Sequence, residues 1–268
     1  MSHNIIVGQS GGPTSVINAS LFGLIKEAKL HPGIKGIYGS LYGVEGLVQD
    51  NLVDLAKEDE KELSLLLQTP GAALGSTRYK LREEEDFKRI KETLLRHEIN
   101  LVFVNGGNDS MDTCLALSNY LKKDGIQVLG IPKTVDNDLV LNDHSLGFPS
   151  SAKSIINATK AISVDVSSYD IGKVTIIEAM GRDSGWLTSS LATIDPPFTP
   201  DYIYVPEMGM NLELILKQIQ EVYQRKKKAL IALSEAMPLR EEEEELTDAF
   251  GHHSLEARSR GAASPSAT

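Results

Sequence analysis

"NLVFVNGGNDSMDTCLALSNYLKK", residues 100–123, decides how the chain folds. The apolar run "LVFV" reads as a strand, and the segment from Ser110 onward reads as a helix. Gly106 and Gly107 join the two and look like a phosphate-binding turn. Asn108 and Asp109 come next, however, and a carboxylate is electrostatically awkward beside a polyanion. The strand and helix give the fold, and the misplaced charge bears on function.

The same strand-then-helix alternation extends in both directions. Upstream lie a strand "NIIVG", a helix "TSVINASLFGLIKEAK", a second strand "IKGIYG" and an acid-rich helix "EEEDFKRIKETLLRH"; downstream lies the strand "IQVLGIP". A second series begins past the polar turn "VLNDHS". It comprises helix "SAKSIINATKAISV", strand "KVTIIEAM", helix "SGWLTSSLAT", strand "DYIYVPE", helix "NLELILKQIQEVYQRKKK" and strand "ALIALSE". Such alternation predicts an α/β protein with mostly parallel sheets covered by helices on both faces. In sheets of this kind ligands bind at the carboxyl ends of the strands.

Composition narrows the function. The 268 residues carry a formal charge of −10, with 41% hydrophobic and 24% charged side chains. That balance suits a globular chain and argues against a general nucleic-acid binder, which needs a basic face. No apolar run approaches the ~18 residues that span a bilayer, so no membrane partner is expected. One cysteine, Cys114, cannot form an internal disulfide; it reads as a small buried thiol, and a reducing cytoplasm fits best. The sequons at Asn18 and Asn157 read as chance matches.

Four turns at predicted strand ends carry unusual residues. In "GQSGGPTSVIN", Gly11 and Gly12 could bring backbone N–H groups to an oxyanion, or could simply form a tight connection. The stretch around Gly107 is the second turn. The third, "GIPKTVDNDL", places Lys133, Thr134, Asp136 and Asp138 within six residues. It reads either as a solvated turn or as a base beside a phosphoryl-binding cation. The fourth, "EAMGRDSGWL", sets Met180, Gly181 and Arg182 before a helix, where arginine suits a bidentate phosphate contact or a simple cap. No GxGxxG follows the first strand, which disfavours a dehydrogenase.

Taken together and in order, "SGGPTSVIN", "LGSTR", "GGNDS", "PKTVDND", "EAMGRDSG" and "LSEA" resemble the phosphofructokinase family, in particular its pyrophosphate-using branch. The resemblance covers residues 3–238 and implies two Rossmann-like αβα domains. A phosphoryl-donor domain would span 1–139 and a fructose 6-phosphate domain, incomplete here, 140–242; residues 243–268 would form a disordered or aberrant tail. The implied reaction is reversible transfer of a phosphoryl group from pyrophosphate to the 1-hydroxyl of fructose 6-phosphate, with Mg2+ as cofactor. The implied setting is a cytoplasmic homodimer or homotetramer.

The resemblance also assigns residues. Asp136 would be the base, with Thr134, Lys133 and Arg182 supporting the transferring group. Gly11, Gly12, Arg78, Gly107, Asp109, Ser110 and Lys133 would hold the donor. Thr134, Asp136, Asp138, Lys173, Met180, Gly181, Arg182 and Glu235 would meet fructose 6-phosphate. Lys173 stands where many ATP-using members carry an arginine that reaches into a neighbouring subunit's site. Asn108, Asp109 and Asp138 are the implied metal-binding set, with Asn108 replacing a magnesium-binding aspartate.

The awkward carboxylate now has a reading. ATP-using members commonly have "GGDGS", and Asp109 occupies the position of the glycine that follows the aspartate in that motif. Its charge would repel the α-phosphate of a nucleotide by about 4 kcal/mol at ~4 Å and an effective dielectric of ~20. Lys133, where those members usually have glycine, would supply a cation for compact pyrophosphate. Family members continue for another hundred or more residues, whereas "EARSRGAASPSAT" matches nothing expected. The sequence therefore also admits an ATP-dependent enzyme or a non-catalytic sugar-phosphate-binding remnant or partner subunit, and it predicts weak or no activity and a tendency to associate or aggregate for the isolated chain.

Overall fold

A computed structural model of the chain describes residues 3–209, 211–235 and 237; the expected tail at 243–268 lies outside the described residues. The chain divides between Thr134 and Val135 into two units. Among the described residues no helix is long and apolar enough to cross a membrane.

The first unit carries strands β1 (His3–Gln9), β2 (Ile34–Ser40), β3 (Leu52–Asp54), β4 (Ile99–Gly106) and β5 (Gln127–Pro132). Its helices are α1 (Ile17–Leu30), α2 (Gly43–Gln49), α3 (Glu60–Leu65), α4 (Glu84–Arg96) and α5 (Asn108–Leu121). The strands form one sheet in the order β3-β2-β1-β4-β5. All neighbours run parallel except β3, which pairs antiparallel with β2. Successive residues of β1 feed opposite faces: Ile5 and Val7 pack with Leu21 and Ile25 of α1, while Ile6 packs with Leu47, Ile90, Leu94 and Leu117. Alternation of this kind explains why the central strands read as unbroken apolar runs.

Helix α4 shows which forces hold the outer layer. Its exposed pairs Lys88–Glu84 and Arg89–Glu85 are worth only a few tenths of a kcal/mol each. Ile90 and Leu94, both fully buried, contribute roughly 2 kcal/mol apiece. The apolar stripe decides the packing.

The second unit contains α6 (Phe148–Ser167), β6 (Val174–Ala179), α7 (Trp186–Ser189), β7 (Tyr202–Tyr204), α8 (Leu212–Lys226) and β8 (Ala229–Ser234). Its parallel sheet has the order β6-β8-β7, and every residue of the central β8 is buried. One face of β8 packs through Ile231 and Leu233 onto Ile215 and Val222 of α8. The other packs through Ala232 onto Leu191 and Ile194. The single helix expected over 184–193 is divided: α7 covers Trp186–Ser189 and a 3-10 turn covers Ser190–Thr193.

Strand order fixes where a site can lie. In the first sheet β1 leads through α1 to β2 on one side, and β4 leads through α5 to β5 on the other. The carboxyl ends of β1 and β4 therefore flank the point where the winding reverses, the usual position of a ligand crevice in open α/β sheets.

Candidate active site

In the first unit the two glycine turns lie at that reversal. Ser10, Gly11 and Gly12 follow β1, Gly107 leads into α5, and Lys133 follows β5. The Lys133 backbone N–H donates to Gly106 O (3.0 Å), and its ammonium donates to the carbonyl of Gly12. Lys133 is only 6% exposed. A Cβ placed on Gly11 would stand 3.3 Å from Lys133 Nζ, and one on Gly107 would stand 3.7 Å from it. Gly11 also has φ +75°, which side chains avoid. The glycines leave space for a cation that touches both turns.

The Gly11 N–H is committed within the chain and is not directed at an oxyanion. It donates to Thr77 O (3.2 Å), and the Gly11 carbonyl accepts from Ser76 Oγ (2.5 Å). These bonds tie the loop that carries Arg78, an exposed residue, to the first glycine turn. Thr77 Oγ1 in turn donates to Glu45 Oε2 at 3.0 Å. Between the two turns, Ser10 Oγ and Ser110 Oγ share a buried hydrogen bond of 2.5 Å. Thr134 is buried beside Lys133 in the chain. Asn108 and Asp109 are exposed in the first turn of α5, where a carboxylate gains from the helix dipole. That local gain offsets part of the cost of placing a negative charge near an anion site.

The second unit holds the other group of expected residues. Ser184 Oγ donates to the backbone carbonyl of Asp136 at 2.8 Å. Asn137, at φ +58° and buried, accepts from Ser145 N (2.7 Å) and donates to Asp143 O (3.2 Å). The segment around Asp136 is thus held on both sides, with Asp138 exposed beside it.

After β6 the chain turns through Met180, Gly181 and Arg182. Gly181 has φ +151°, and a Cβ there would overlap the carbonyl oxygen of Ser184. Glu235 Oε1 accepts from Gly181 N (2.8 Å) and Arg182 N (2.7 Å), while Glu207 Oε1 accepts from Gly185 N (2.8 Å). Burial and then the charge of Glu235 push the Glu178 carboxyl above its ordinary range.

The structure therefore brings Gly11, Gly107, Ser110 and Lys133 together in one unit, and Asp136, Gly181, Arg182 and Glu235 into one hydrogen-bonded set in the other. Lys173 is not part of that set. It precedes the first residue of β6, whereas Met180 follows the last, a separation of about 20 Å along the strand.

A family model described as phosphofructokinase matches residues 4–263. The chain belongs to the phosphofructokinase family. A pyrophosphate–fructose 6-phosphate 1-phosphotransferase of Rhodospirillum rubrum is 37% identical over 241 residues, which cover 87% of this chain and 58% of that protein. The crystal structure of a pyrophosphate-dependent phosphofructokinase from Nitrosospira multiformis superposes with a TM-score of 0.80 at 34% identity, covering 90% of this chain and 62% of that one. An ATP-dependent 6-phosphofructokinase of Actinobacillus pleuropneumoniae is 31% identical over 252 residues, 92% of this chain and 74% of its own length. The chain thus spans about three fifths of the two pyrophosphate-named proteins it is compared with.

Several residues of the candidate site escape sequence reading. Ser10, Ser184 and Glu207 make the contacts described above, yet none carries a motif of its own. Ser10, at the end of an apolar strand, is the nearest thing to a signal. Ser184 lies inside "GRDSG", but its target, the carbonyl of Asp136, is 48 residues away in the chain.

Proposed function

We propose that the chain carries out reversible phosphoryl transfer from pyrophosphate to the 1-hydroxyl of fructose 6-phosphate. The observation that carries this reading is the Lys133 ammonium set against both glycine turns, with Asp109 in the first turn of the adjoining helix. A compact cation suits the dense charge of pyrophosphate, and the Asp109 carboxylate disfavours the additional phosphate and nucleoside of ATP. The pyrophosphate-named relatives support the choice of donor.

In the proposed reaction the 1-hydroxyl oxygen attacks the terminal phosphorus. The P–O bond to the leaving phosphate breaks, and Asp136 accepts the hydroxyl proton. Lys133, Arg78 and Arg182 neutralise phosphate charge, and Thr134 supports the transferring group. Alignment and charge neutralisation are most of what phosphoryl transfer requires. Met180, Gly181 and Arg182, braced by Glu235, present the turn that takes the sugar phosphate.

Mg2+ fits the donor set. No group of three His, Cys, Asp or Glu side chains among the described residues could hold an ion. Magnesium in phosphoryl-transfer sites takes one or two carboxylates and fills its remaining positions with water and substrate phosphate. Asn108 and Asp109 offer oxygen donors of that kind in the first unit, as Asp138 does in the second, and the ion would supply charge neutralisation on the phosphate oxygens. Lys173, remote from the turn at 180–182, is assigned to a neighbouring subunit's site in a homo-oligomer.

The donor assignment is tested by measuring turnover and binding with pyrophosphate and with ATP, for the wild type and for Asp109→Gly. Asp109 is exposed, so its repulsion is screened to about 1–2 kcal/mol, and the variant should improve relative ATP use roughly tenfold. Failure of the wild type to bind pyrophosphate, or equal use of both donors, would remove the reading.

A further inference from the structure

The loop at residues 69–78 carries Arg78 to the donor site without a helix or strand, and Leu74 is its one buried side chain. Apolar burial alone cannot fix such a segment. Two fully buried amides supply what is missing. Gln9, the last residue of β1, and Asn18, in the first turn of α1, are both 0% exposed. Gln9 Nε2 donates to Asn18 Oδ1 (2.9 Å), and Gln9 Oε1 accepts from Leu74 N (2.9 Å). Asn18 Oδ1 also accepts from Ala73 N (2.9 Å), and Asn18 Nδ2 donates to Thr69 O (2.9 Å). Both amides use their oxygen and their nitrogen, and three of these bonds end on the backbone of the loop.

A buried amide is costly unless every polar atom is paired, and an apolar pair of similar volume would satisfy the core equally well. A connected and satisfied network instead selects one conformation. Here that conformation places Ser76 and Thr77 on the two backbone groups of Gly11 and leads directly into Arg78. We infer that Gln9 and Asn18 are positioning residues for pyrophosphate, acting by holding the 69–78 loop against the first glycine turn. The inference rests on the donor reading above. It also explains why the Asn18 sequon is not a glycan site, since the side chain is enclosed and committed.

The test uses the full chain and inorganic pyrophosphate with magnesium. Asn18→Ala removes two loop contacts, and the nearly isosteric Gln9→Met removes the Leu74 contact without opening a cavity. Ile90→Val, in the core on the opposite sheet face, lowers stability without touching the loop. Calorimetric titration should show pyrophosphate affinity reduced tenfold or more in Asn18→Ala and Gln9→Met. Ile90→Val should show no change, and fructose 6-phosphate affinity should stay within twofold throughout. Hydrogen exchange of the 69–78 peptide should accelerate in the same two variants.

Variants that bind pyrophosphate as tightly as a binding-competent wild type would overturn this inference and leave the donor reading intact. The inference also falls if Ile90→Val weakens binding as much as Asn18→Ala, since the effect would then be one of general stability. A wild type that binds no pyrophosphate overturns both.

Discussion

Glu235→Gln probes the turn at 180–182, proposed to take the sugar phosphate, with little change in volume. The carboxylate accepts from Gly181 N at 2.8 Å and from Arg182 N at 2.7 Å through one oxygen. Hydrogen bonds to a charged partner are worth about 1.5–3 kcal/mol and neutral ones about 0.5–1.5 kcal/mol. An amide oxygen keeps both bonds but makes each weaker by about 1 kcal/mol. Arg182 is exposed, so solvent screens part of that difference, and loss of the repulsion felt by Glu178 returns a little more. The net cost is about 1 kcal/mol, equivalent to a roughly fivefold rise in the fructose 6-phosphate dissociation constant. Glu235→Ala removes both acceptors and leaves the N–H of buried Gly181 without its partner, so it should cost about 2–4 kcal/mol. Titration calorimetry with fructose 6-phosphate, paired with hydrogen exchange at Gly181 and Arg182, measures both effects. The pH dependence provides a further check. The raised Glu178 carboxyl favours folding less as pH rises from its unfolded pKa through its folded one, and that loss should shrink in Glu235→Gln. Equal exchange at Gly181 in wild type, Gln and Ala variants would refute the assignment of Glu235 as the brace of this turn.

Two other substitutions isolate single contacts. Gly11→Ala places a side chain at φ +75° and a methyl 3.3 Å from Lys133 Nζ, so thermal denaturation should show a loss of about 1–2 kcal/mol with pyrophosphate affinity reduced at least tenfold. Asp50 is a case where burial pushes the carboxyl up but hydrogen bonds from His97 and Arg96 outweigh it and hold the group below its usual range. Its stabilisation is therefore complete above the unfolded carboxyl pKa and is lost as pH falls through the depressed folded value. Asn tolerates the φ of +56° at this helix end, so Asp50→Asn should cost about 1 kcal/mol at neutral pH and flatten the acid limb of a stability–pH curve.

Sequence patterns reveal those parts of the fold whose causes are local. Long apolar runs become β1, β4 and β8, and periodic segments become α4, α5 and α8. The stretch at 43–54 escapes such reading for a physical reason. Helix α2 contains two glycines and is bounded by Tyr42 and Asp50, both left-handed, so neither its start nor its end carries a familiar cap. Strand β3 has three residues and is defined by antiparallel pairing with β2, not by its own pattern. The start of α7 likewise depends on tertiary context, since Gly185 there is held by Glu207.

The same division between local and distant causes runs through the candidate site. A turn that admits an anion or a cation closely must be made of small residues, and small residues have no side chains with which to hold themselves. The glycine turns at 11–12, 106–107 and 181 are therefore conspicuous in the sequence, and their rigidity has to come from elsewhere. It comes from Glu235 on Gly181, 54 residues away, and from Ser184 on the Asp136 carbonyl, 48 residues away. It comes as well from Gln9 on Leu74, 65 residues away, and Asn18 on Ala73, 55 residues away. Each support is a common polar residue whose importance depends on a contact made only after folding. Substitutions at the supports should accordingly loosen a turn and weaken the ligand it holds, whereas substitutions at the glycines should also strain the backbone. Gly11→Ala and Asn18→Ala measured side by side separate the two: exchange in the 69–78 loop should rise in the second far more than in the first.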